Sequence, residues 1–420
     1  MRKAGSSGAW RRFGTAVAFA LWVAVATLFL LELILFVSRP LWRTPGDLPP
    51  AGRGMPTQER YWCYRYQPIV GYTGIPGVTW RAPWGAIVTQ NARGERGPDV
   101  AYERGGAPRV VVLGDSQAWG FGVADDETLA RQLADALAAD DHPGVETVNL
   151  GVSGYGIDQS VLAYLLSGEA YSPDLVVFAW FASNDLEEIA SDRTHGVAKP
   201  LFVMHGEELC LANVPVPRAE GWPDVDLGSQ LVRWLIRRAG RTTGALAGKT
   251  NLVAFLHTRR GVRDWRPEYD RGLARVRRTF PCVLPGDAGS PRGGPVGTRL
   301  LGALARELKP RARLVVLGIP TVADLAAGRR SGSYVDFLGE LSRDGIEIVD
   351  PFDELRPLFA AGRAMGRGNQ DSHLSAEGTG VVARLLAGRI ADELDPPERP
   401  GTSAPRPGAL RDEATGGVAP

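Results

Sequence analysis

The stretch VVVLGDS, residues Val110 to Ser116, decides the fold of this chain. A run of apolar, mostly β-branched residues ends abruptly in Gly-Asp-Ser, and a helical pattern follows it. Such a run predicts a buried strand. Because ligands bind at the carboxyl ends of parallel strands in an open α/β sheet, a hydroxyl at this position is a candidate nucleophile.

Three further polar blocks follow strand-like runs in the same manner. They are GVSGYG at Gly151–Gly156 after a run at 145–150, ASND at Ala182–Asp185 after Leu175–Phe181, and DSH at Asp371–His373 after a run at 346–349. An amphipathic helix is predicted from about Ala376 to Leu394. The alternation of strands and helices predicts an α/β fold whose parallel sheet is covered by helices on both faces.

The order of these blocks resembles the SGNH hydrolase superfamily, also called GDSL esterases and lipases, over roughly Arg109 to Leu394. The resemblance implies a three-layer α/β/α sandwich with a flavodoxin-like, mostly parallel sheet. Many members carry Asp-x-x-His, whereas this chain has Asp-x-His, a spacing similar to that of membrane-tethered relatives that act on envelope polysaccharides. The residues matched by motif are Ser116, Gly154, Asn184, and His373 with Asp371.

Each matched residue type has a chemical reason to be present. A serine hydroxyl is a weak nucleophile at neutral pH, so Ser116 needs His373 to take its proton. A carboxylate on the other ring nitrogen, here Asp371, fixes the tautomer and stabilises the imidazolium. The oxyanion of the tetrahedral intermediate needs preorganised donors. We expect these to be the backbone N–H groups of Ser116 and Gly154 and the side-chain amide of Asn184.

Composition and spacing argue against several other functions. The chain has 48 Lys and Arg against 47 Asp and Glu, a net charge of +1, so no global field draws it onto nucleic acid. The spacing Gly151-x-x-Gly154-x-Gly156 is wrong for a dinucleotide loop, and no Gly-x-Ser-x-Gly elbow occurs. The histidines other than His373 lack companions at metal-ligand spacing. We therefore expect no cofactor, no metal and no nucleic-acid partner.

An almost unbroken apolar run covers residues 16–37. At 1.5 Å per residue it is long enough to cross a hydrocarbon core of roughly 30 Å, which predicts an uncleaved transmembrane signal anchor. A slight excess of basic residues before the run places the N-terminus in the cytoplasm and the catalytic domain outside it. The pair Arg11-Arg12 also fits a twin-arginine export signal, and that alternative stays open.

Composition divides the rest of the chain into segments of different character. We predict a cytoplasmic N-terminus at 1–15, the anchor at 16–37, a linker at 38–56, an aromatic-rich arm at 57–108, the SGNH hydrolase domain at 109–395 with an insert at about 187–297, and a disordered tail at 396–420. The aromatic residues of the arm could form a carbohydrate platform or pack as its core. Whether Cys210 and Cys282 of the insert are bridged, leaving Cys63 as a thiol, stays open.

Together these features predict a membrane-anchored serine esterase that forms an acyl-enzyme at Ser116. The expected substrate is an O-acyl ester, such as an O-acetyl group, on an envelope polysaccharide or an acylated small molecule. Two alternatives remain. The same residues could transfer the acyl group to a sugar hydroxyl, working with a membrane acyltransferase partner, or an inactive domain could keep the fold as a scaffold.

Overall fold

The structure is a computed structural model, and it describes residues 15–28, 30, 63–82, 84–194, 197–217, 266–284 and 296–394. Within these ranges, five parallel strands form the central sheet. They are β1 (Arg109–Gly114), β2 (Glu146–Asn149), β3 (Leu175–Phe181), β4 (Arg313–Ile319) and β5 (Glu347–Val349). Their order across the sheet is 2-1-3-4-5, the flavodoxin-like order. The α/β prediction with a parallel sheet is thereby confirmed.

Helices cover both faces of the sheet because the strand side chains alternate between two apolar cores. Val111, Phe178 and Val316 face one core, whereas Val110, Val177 and Val315 face the other. The helices are α1 (Ser116–Trp119), α2 (Leu129–Ala139), α3 (Ile157–Leu166), α4 (Asp185–Glu188), α5 (Arg266–Thr279), α6 (Val296–Leu308), α7 (Val322–Ala327), α8 (Gly332–Arg343), α9 (Phe352–Ala360) and α10 (Ala376–Leu394).

The two helical layers are of similar size. Helices α3, α5, α6 and α8 pack on the first core, and α2, α7, α9 and α10 pack on the second. Short 3-10 turns at Asp125–Glu127 and Gly168–Tyr171 and a turn at Gly366–Asn369 complete the connections. The sheet is therefore covered on both sides, and its carboxyl edge is left for the loops that follow β1, β2 and β3.

The described part of the aromatic-rich arm forms two antiparallel hairpins. Tyr64–Gln67 pairs with Gly71–Gly74, and Thr79–Arg81 pairs with Ile87–Thr89. Arg96 then joins the arm to the segment after Ser116. Its buried guanidinium donates to the carbonyls of Trp119, Gly120 and Val123 and forms an ion pair with Asp125 at 3.0 Å.

The described part of the insert contributes two more hairpins and helix α5. The hairpins are Arg193–Thr194 with Val197–Ala198 and Leu201–His205 with Glu208–Ala212. A disulfide joins Cys210 to Cys282, across 72 residues of sequence. This answers the question that the sequence left open. Cys63 is buried and takes no part in the disulfide.

The predicted membrane anchor is described only in part. Residues 15–28 are helical, and large apolar side chains such as Phe19 and Trp22 are exposed on that helix. In the described part of the chain, no helix has the length and apolarity needed to cross a membrane. Residues 31–37 of the predicted span, the linker at 38–56 and the tail at 396–420 lie outside the described residues.

Candidate active site

Ser116 is the first residue of α1, directly after β1. Asp115 caps this helix, because its side chain accepts a hydrogen bond from the N–H of Gln117 at 2.8 Å. Gly114 has a φ of +142°, and a Cβ there would lie 2.7 Å from the carbonyl of Ala179 on β3. The serine therefore lies where the strand order reverses between β1 and β3, the usual ligand position of an open α/β sheet.

His373 lies beside Ser116 although 257 positions separate the two residues in sequence. Nε2 of His373 is 2.9 Å from Oγ of Ser116, and Nδ1 is 2.6 Å from Oδ1 of Asp371. The same Oδ1 accepts the backbone N–H of His373 at 3.0 Å. These hydrogen bonds from His373 lower the pKa of Asp371. The structure thus brings all three predicted residues together, and the Asp-x-His spacing permits the contact.

Gln117 holds the loop that carries His373. Its Nε2 donates to the carbonyl of Ser372 at 2.9 Å, and its Oε1 accepts from the N–H of Leu374 at 3.1 Å. The amide therefore binds the backbone on both sides of the histidine from the position next to Ser116. This role was not predictable from the sequence, because a polar residue at the second position of a helix carries no distinguishing pattern.

Asn184 follows β3 and lies beside Asp115. Its Nδ2 donates to Oδ2 of Asp115 at 3.2 Å, and Oγ of Ser116 lies 3.4 Å from the same oxygen. Oδ1 of Asn184 is buried and has no hydrogen-bond partner within the described residues. The structure therefore brings Asn184 to the nucleophile turn, as expected. One N–H of its amide is used by Asp115, and a hydrogen bond from the same side chain lowers the pKa of Glu188.

Gly154 lies in a loop that packs against the nucleophile turn. The N–H of Val152 donates to the carbonyl of Gly114 at 3.1 Å, and a Cβ on Gly151 would lie 2.5 Å from the backbone nitrogen of Trp119. Gly154 itself has a φ of +81°, and its carbonyl accepts a hydrogen bond from Thr194 at 2.9 Å. The loop is thus fixed next to Ser116 by contacts that only small residues allow.

Buried carboxylates lie behind the nucleophile turn. Burial and the charge of Asp115 raise the pKa of Asp185 well above its usual range. Burial also raises the pKa of Glu188 to about 8, with a further contribution from Asp115, although Lys199 and Asn184 oppose the shift. This cluster was not predictable from sequence patterns, because it brings together residues of loops that are distant along the chain.

Two aromatic rings adjoin His373. The ring of Phe121 lies 4.4 Å from the imidazole, centroid to centroid, and the ring of Trp84 lies 4.7 Å from that of Phe121. Both side chains are partly exposed. Of the two uses foreseen for the arm's aromatic residues, core packing describes Tyr64 and Tyr72, which are buried, whereas Trp84 packs on the small cluster that contains Trp119 and Phe121.

A serine, an imidazole and a carboxylate joined in this order at a sheet edge form the arrangement that serine hydrolases use. The model of the GDSL-like Lipase/Acylhydrolase family matches residues 112–381. The chain belongs to that family, and its class is that of enzymes that hydrolyse esters. The match begins inside β1 and leaves out the N-terminal arm.

Comparison with solved structures finds several similar chains. A lipase/acylhydrolase from Enterococcus faecalis is 11% identical, with a TM-score of 0.36 over 70% of this chain and 100% of the other. An acetyl xylan esterase from Geobacillus stearothermophilus is 13% identical, with a TM-score of 0.34 over 69% and 97%. A two-domain esterase active on acetylated mannans is 11% identical, with a TM-score of 0.34 over 69% and 50%. No curated protein matches the chain.

Proposed function

We propose that this protein is a serine esterase that removes an O-acyl group from a glycan through an acyl-enzyme at Ser116. The observation that carries the proposal is the continuous contact from Oγ of Ser116 through both nitrogens of His373 to Asp371. Because hydrogen bonding holds the pKa of Asp371 below its usual range, this carboxylate stays ionised and keeps the proton of the imidazole on Nδ1. Nε2 is then free to accept the proton of the serine.

The reaction proceeds in two halves. Oγ of Ser116 attacks the ester carbonyl while its proton moves to Nε2 of His373, and the N–H groups of Ser116 and Gly154 with the amide of Asn184 stabilise the oxyanion. Collapse of this intermediate breaks the bond to the alcohol, which leaves with the proton of His373. Water then attacks the acyl-enzyme by the same route, which releases the carboxylic acid and restores the serine.

The position of the aromatic rings supports a sugar as the leaving alcohol. His373 must protonate the leaving oxygen, so the alcohol occupies the side of the site next to that ring. Phe121 and Trp84 lie on that side and are partly exposed. Flat apolar rings suit the apolar face of a pyranose and suit a charged or branched alkyl alcohol less well. An acetylated envelope polysaccharide is the substrate that fits both this surface and the sequence.

The test uses the full chain and its Ser116→Ala variant on p-nitrophenyl acetate and butyrate, and on acetylated polysaccharide. Loss of the nucleophile should lower kcat by at least about 10³-fold and abolish labelling by a fluorophosphonate probe. Thermal unfolding of both proteins serves as the folding control. Retained turnover in the variant contradicts the assignment of Ser116, and a wild-type protein that neither turns over esters nor labels is the scaffold alternative.

The same assay separates hydrolysis from transfer. With an unacylated oligosaccharide present, a hydrolase releases free acid, whereas an acyltransferase yields acylated oligosaccharide. Hydrolysis is the expected outcome, and transfer as the main product would assign the reaction to the alternative that needs an acyl donor in the membrane.

We also propose that residues 16–37 anchor the enzyme as a single-pass membrane protein with its catalytic domain outside the cytoplasm. The apolar run and the exposed apolar side chains of the helix at 15–28 support this proposal. Alkaline extraction of membranes should leave the full chain in the pellet, and protease added to spheroplasts should cleave the catalytic domain. Release by the alkaline wash would contradict anchoring, and protection from protease would contradict the orientation.

A further inference from the structure

Three buried tyrosines lie behind the loop that carries Gly154. The ring centroids of Tyr64 and Tyr72 are 5.2 Å apart, and those of Tyr72 and Tyr155 are 5.3 Å apart. The hydroxyl of Tyr72 donates to the carbonyl of Ser153 at 3.0 Å, and the hydroxyl of Tyr155 donates to the backbone carbonyl of Tyr72. Two of these rings belong to the first hairpin of the arm, so the arm reaches the oxyanion loop directly.

The bond to Ser153 fixes the direction of the next N–H. The carbonyl of Ser153 and the N–H of Gly154 belong to one peptide group, and this group is trans. In a trans peptide the two bonds point in opposite directions. With the carbonyl directed at Tyr72, the N–H of Gly154 points away from the tyrosines.

The same loop packs on the nucleophile turn through the two residues that precede Ser153. Val152 donates to the carbonyl of Gly114, and Gly151 lies against the backbone nitrogen of Trp119. The carbonyl of Gly154 is held separately by Thr194, at 2.9 Å. The peptide group before Gly154 is therefore held by Tyr72 of the arm, and the peptide group after it is held by Thr194 of the insert.

We propose that Tyr72 is a positioning residue of the esterase, one that aims the N–H of Gly154 at the developing oxyanion. The inference rests on the proposed function. It assigns a catalytic purpose to a segment that lies outside the family match at 112–381. Tyr72 is 5% exposed and Ser153 is 3% exposed, so water cannot readily replace the phenol as the donor to this carbonyl.

The experiment compares Tyr72→Phe with a matched control, Tyr66→Phe. Tyr66 lies on the same hairpin, and its hydroxyl also donates to a backbone carbonyl, that of Val216 at 2.8 Å. Tyr72→Phe should lower kcat by about tenfold or more. The loss should be smaller than the roughly 10²- to 10³-fold cost of deleting an oxyanion donor, because the N–H remains but is no longer fixed. KM should change little, and Tyr66→Phe should keep the wild-type kcat.

A substrate pair gives a readout that a merely structural role would not move. An aryl acetate and its thionoacetate differ only in the carbonyl atom, and sulfur is a weak hydrogen-bond acceptor. If Tyr72 aims an oxyanion donor, Tyr72→Phe should lower kcat/KM for the oxygen ester more than for the thionoester. The ratio of the two rates does not depend on how much enzyme is folded, so a loss of stability leaves it unchanged.

The outcomes separate this inference from the proposed function. Suppose that the wild-type protein is active and the Ser116→Ala variant is inactive. If Tyr72→Phe then leaves the ratio of oxygen-ester to thionoester kcat/KM unchanged, the role of Tyr72 alone is overturned. If Tyr66→Phe also lowers the ratio of oxygen-ester to thionoester kcat/KM, the effect belongs to the arm in general. That result would likewise overturn the specific role of Tyr72. A wild-type protein without esterase activity overturns the proposed function, and the role of Tyr72 falls with it.

Discussion

Three buried carboxyl groups near Ser116 have raised pKa values, and these values determine how the site responds to pH. Asp115 and Asp185 are each 1% exposed, and Glu188 lies close enough for the charge of Asp115 to affect its pKa. Burial raises the pKa of all three. The pKa of each of these carboxyl groups therefore lies above that of an exposed carboxyl group.

Glu188 provides a prediction on stability. Its pKa is about 8 in the folded chain, so the folded state keeps this proton while the unfolded state loses it near pH 4.5. The folded state binds more protons between these values, and the contribution of Glu188 to stability falls as pH rises through this window. Glu188→Gln should therefore gain in melting temperature over the wild type as pH increases from 4.5 to 8.

The control for this measurement is Glu187→Gln, because Glu187 is an exposed neighbour of the same residue type. Its melting temperature should keep a constant difference from the wild type across the same range. A constant difference in Glu188→Gln as well would show that Glu188 is ionised in the folded chain.

The sequence predicted the residues of the candidate site better than their contacts. Ser116, Gly154, Asn184, Asp371 and His373 were identified by motif, because the chemistry demands particular residue types after particular strands. Their roles remain part of the proposed function. The second use of the Asn184 amide, at Asp115, was not predictable, since it depends on the rotamer of a side chain between two loops.

At the scale of elements, a short helix is linked to a distant loop. Helix α1 and the loop before α10 are held together by the amide of Gln117, which binds the backbone on either side of His373. Because Gln117 is adjacent to Ser116, this link also sets the separation of serine and imidazole. Helix α1, which carries Ser116, therefore also fixes the position of His373.

Gln117→Leu should lower kcat by about 10²-fold with little change in KM, because a displacement of about 1 Å in a catalytic group has a cost of this size. The matched control is Gln132→Leu. Gln132 on α2 also links two backbone segments through its amide, because its Nε2 donates to the carbonyls of Glu127 and Ala376, but neither contact is to a backbone group next to His373. Both variants should lose stability, and only Gln117→Leu should lose turnover. Equal losses of kcat in the two variants would contradict the positioning role.

The elements themselves were largely predictable where their patterns were local. The run Leu175–Phe181 forms a strand with these bounds, and Ala376–Leu394 forms the last helix as expected. The edge strands are shorter than predicted, as at Glu347–Val349, because pairing with one neighbour ends before the apolar run does. The short hairpin formed by Leu201–His205 and Glu208–Ala212 was missed. It is defined by strand pairing and a disulfide more than by hydrophobic periodicity.

At the scale of the whole molecule, the arm and the insert are joined to the sheet domain by polar contacts. Arg96 links the arm to the segment after Ser116, and the buried Lys199 of the insert forms an ion pair with Asp158 on α3. The disulfide between Cys210 and Cys282 closes the insert on itself. These links come from residues far apart in sequence, which is why composition predicted the segments and not their attachment.

Removal of the disulfide should affect stability more than catalysis. Because the cysteines are 72 positions apart in sequence, Cys210→Ser with Cys282→Ser should lower the free energy of unfolding by about 2–4 kcal/mol. The contacts of Ser116 and His373 do not involve these cysteines, so kcat at 25 °C should be retained. Thermal melts with and without reductant check this prediction. Reductant should lower the melting temperature of the wild type only, and an insensitive wild type would contradict the bridge.

The distance along the chain between Ser116 and His373 also governs when the enzyme becomes competent. Synthesis runs from the N-terminus, so Ser116, its helix and all five strands of the central sheet emerge before His373 does. A ribosome-bound chain that stops short of residue 373 has a serine with no imidazole to activate it. In the proposed mechanism, nascent protein therefore does not cleave esters before His373 has been synthesised and has folded against Ser116.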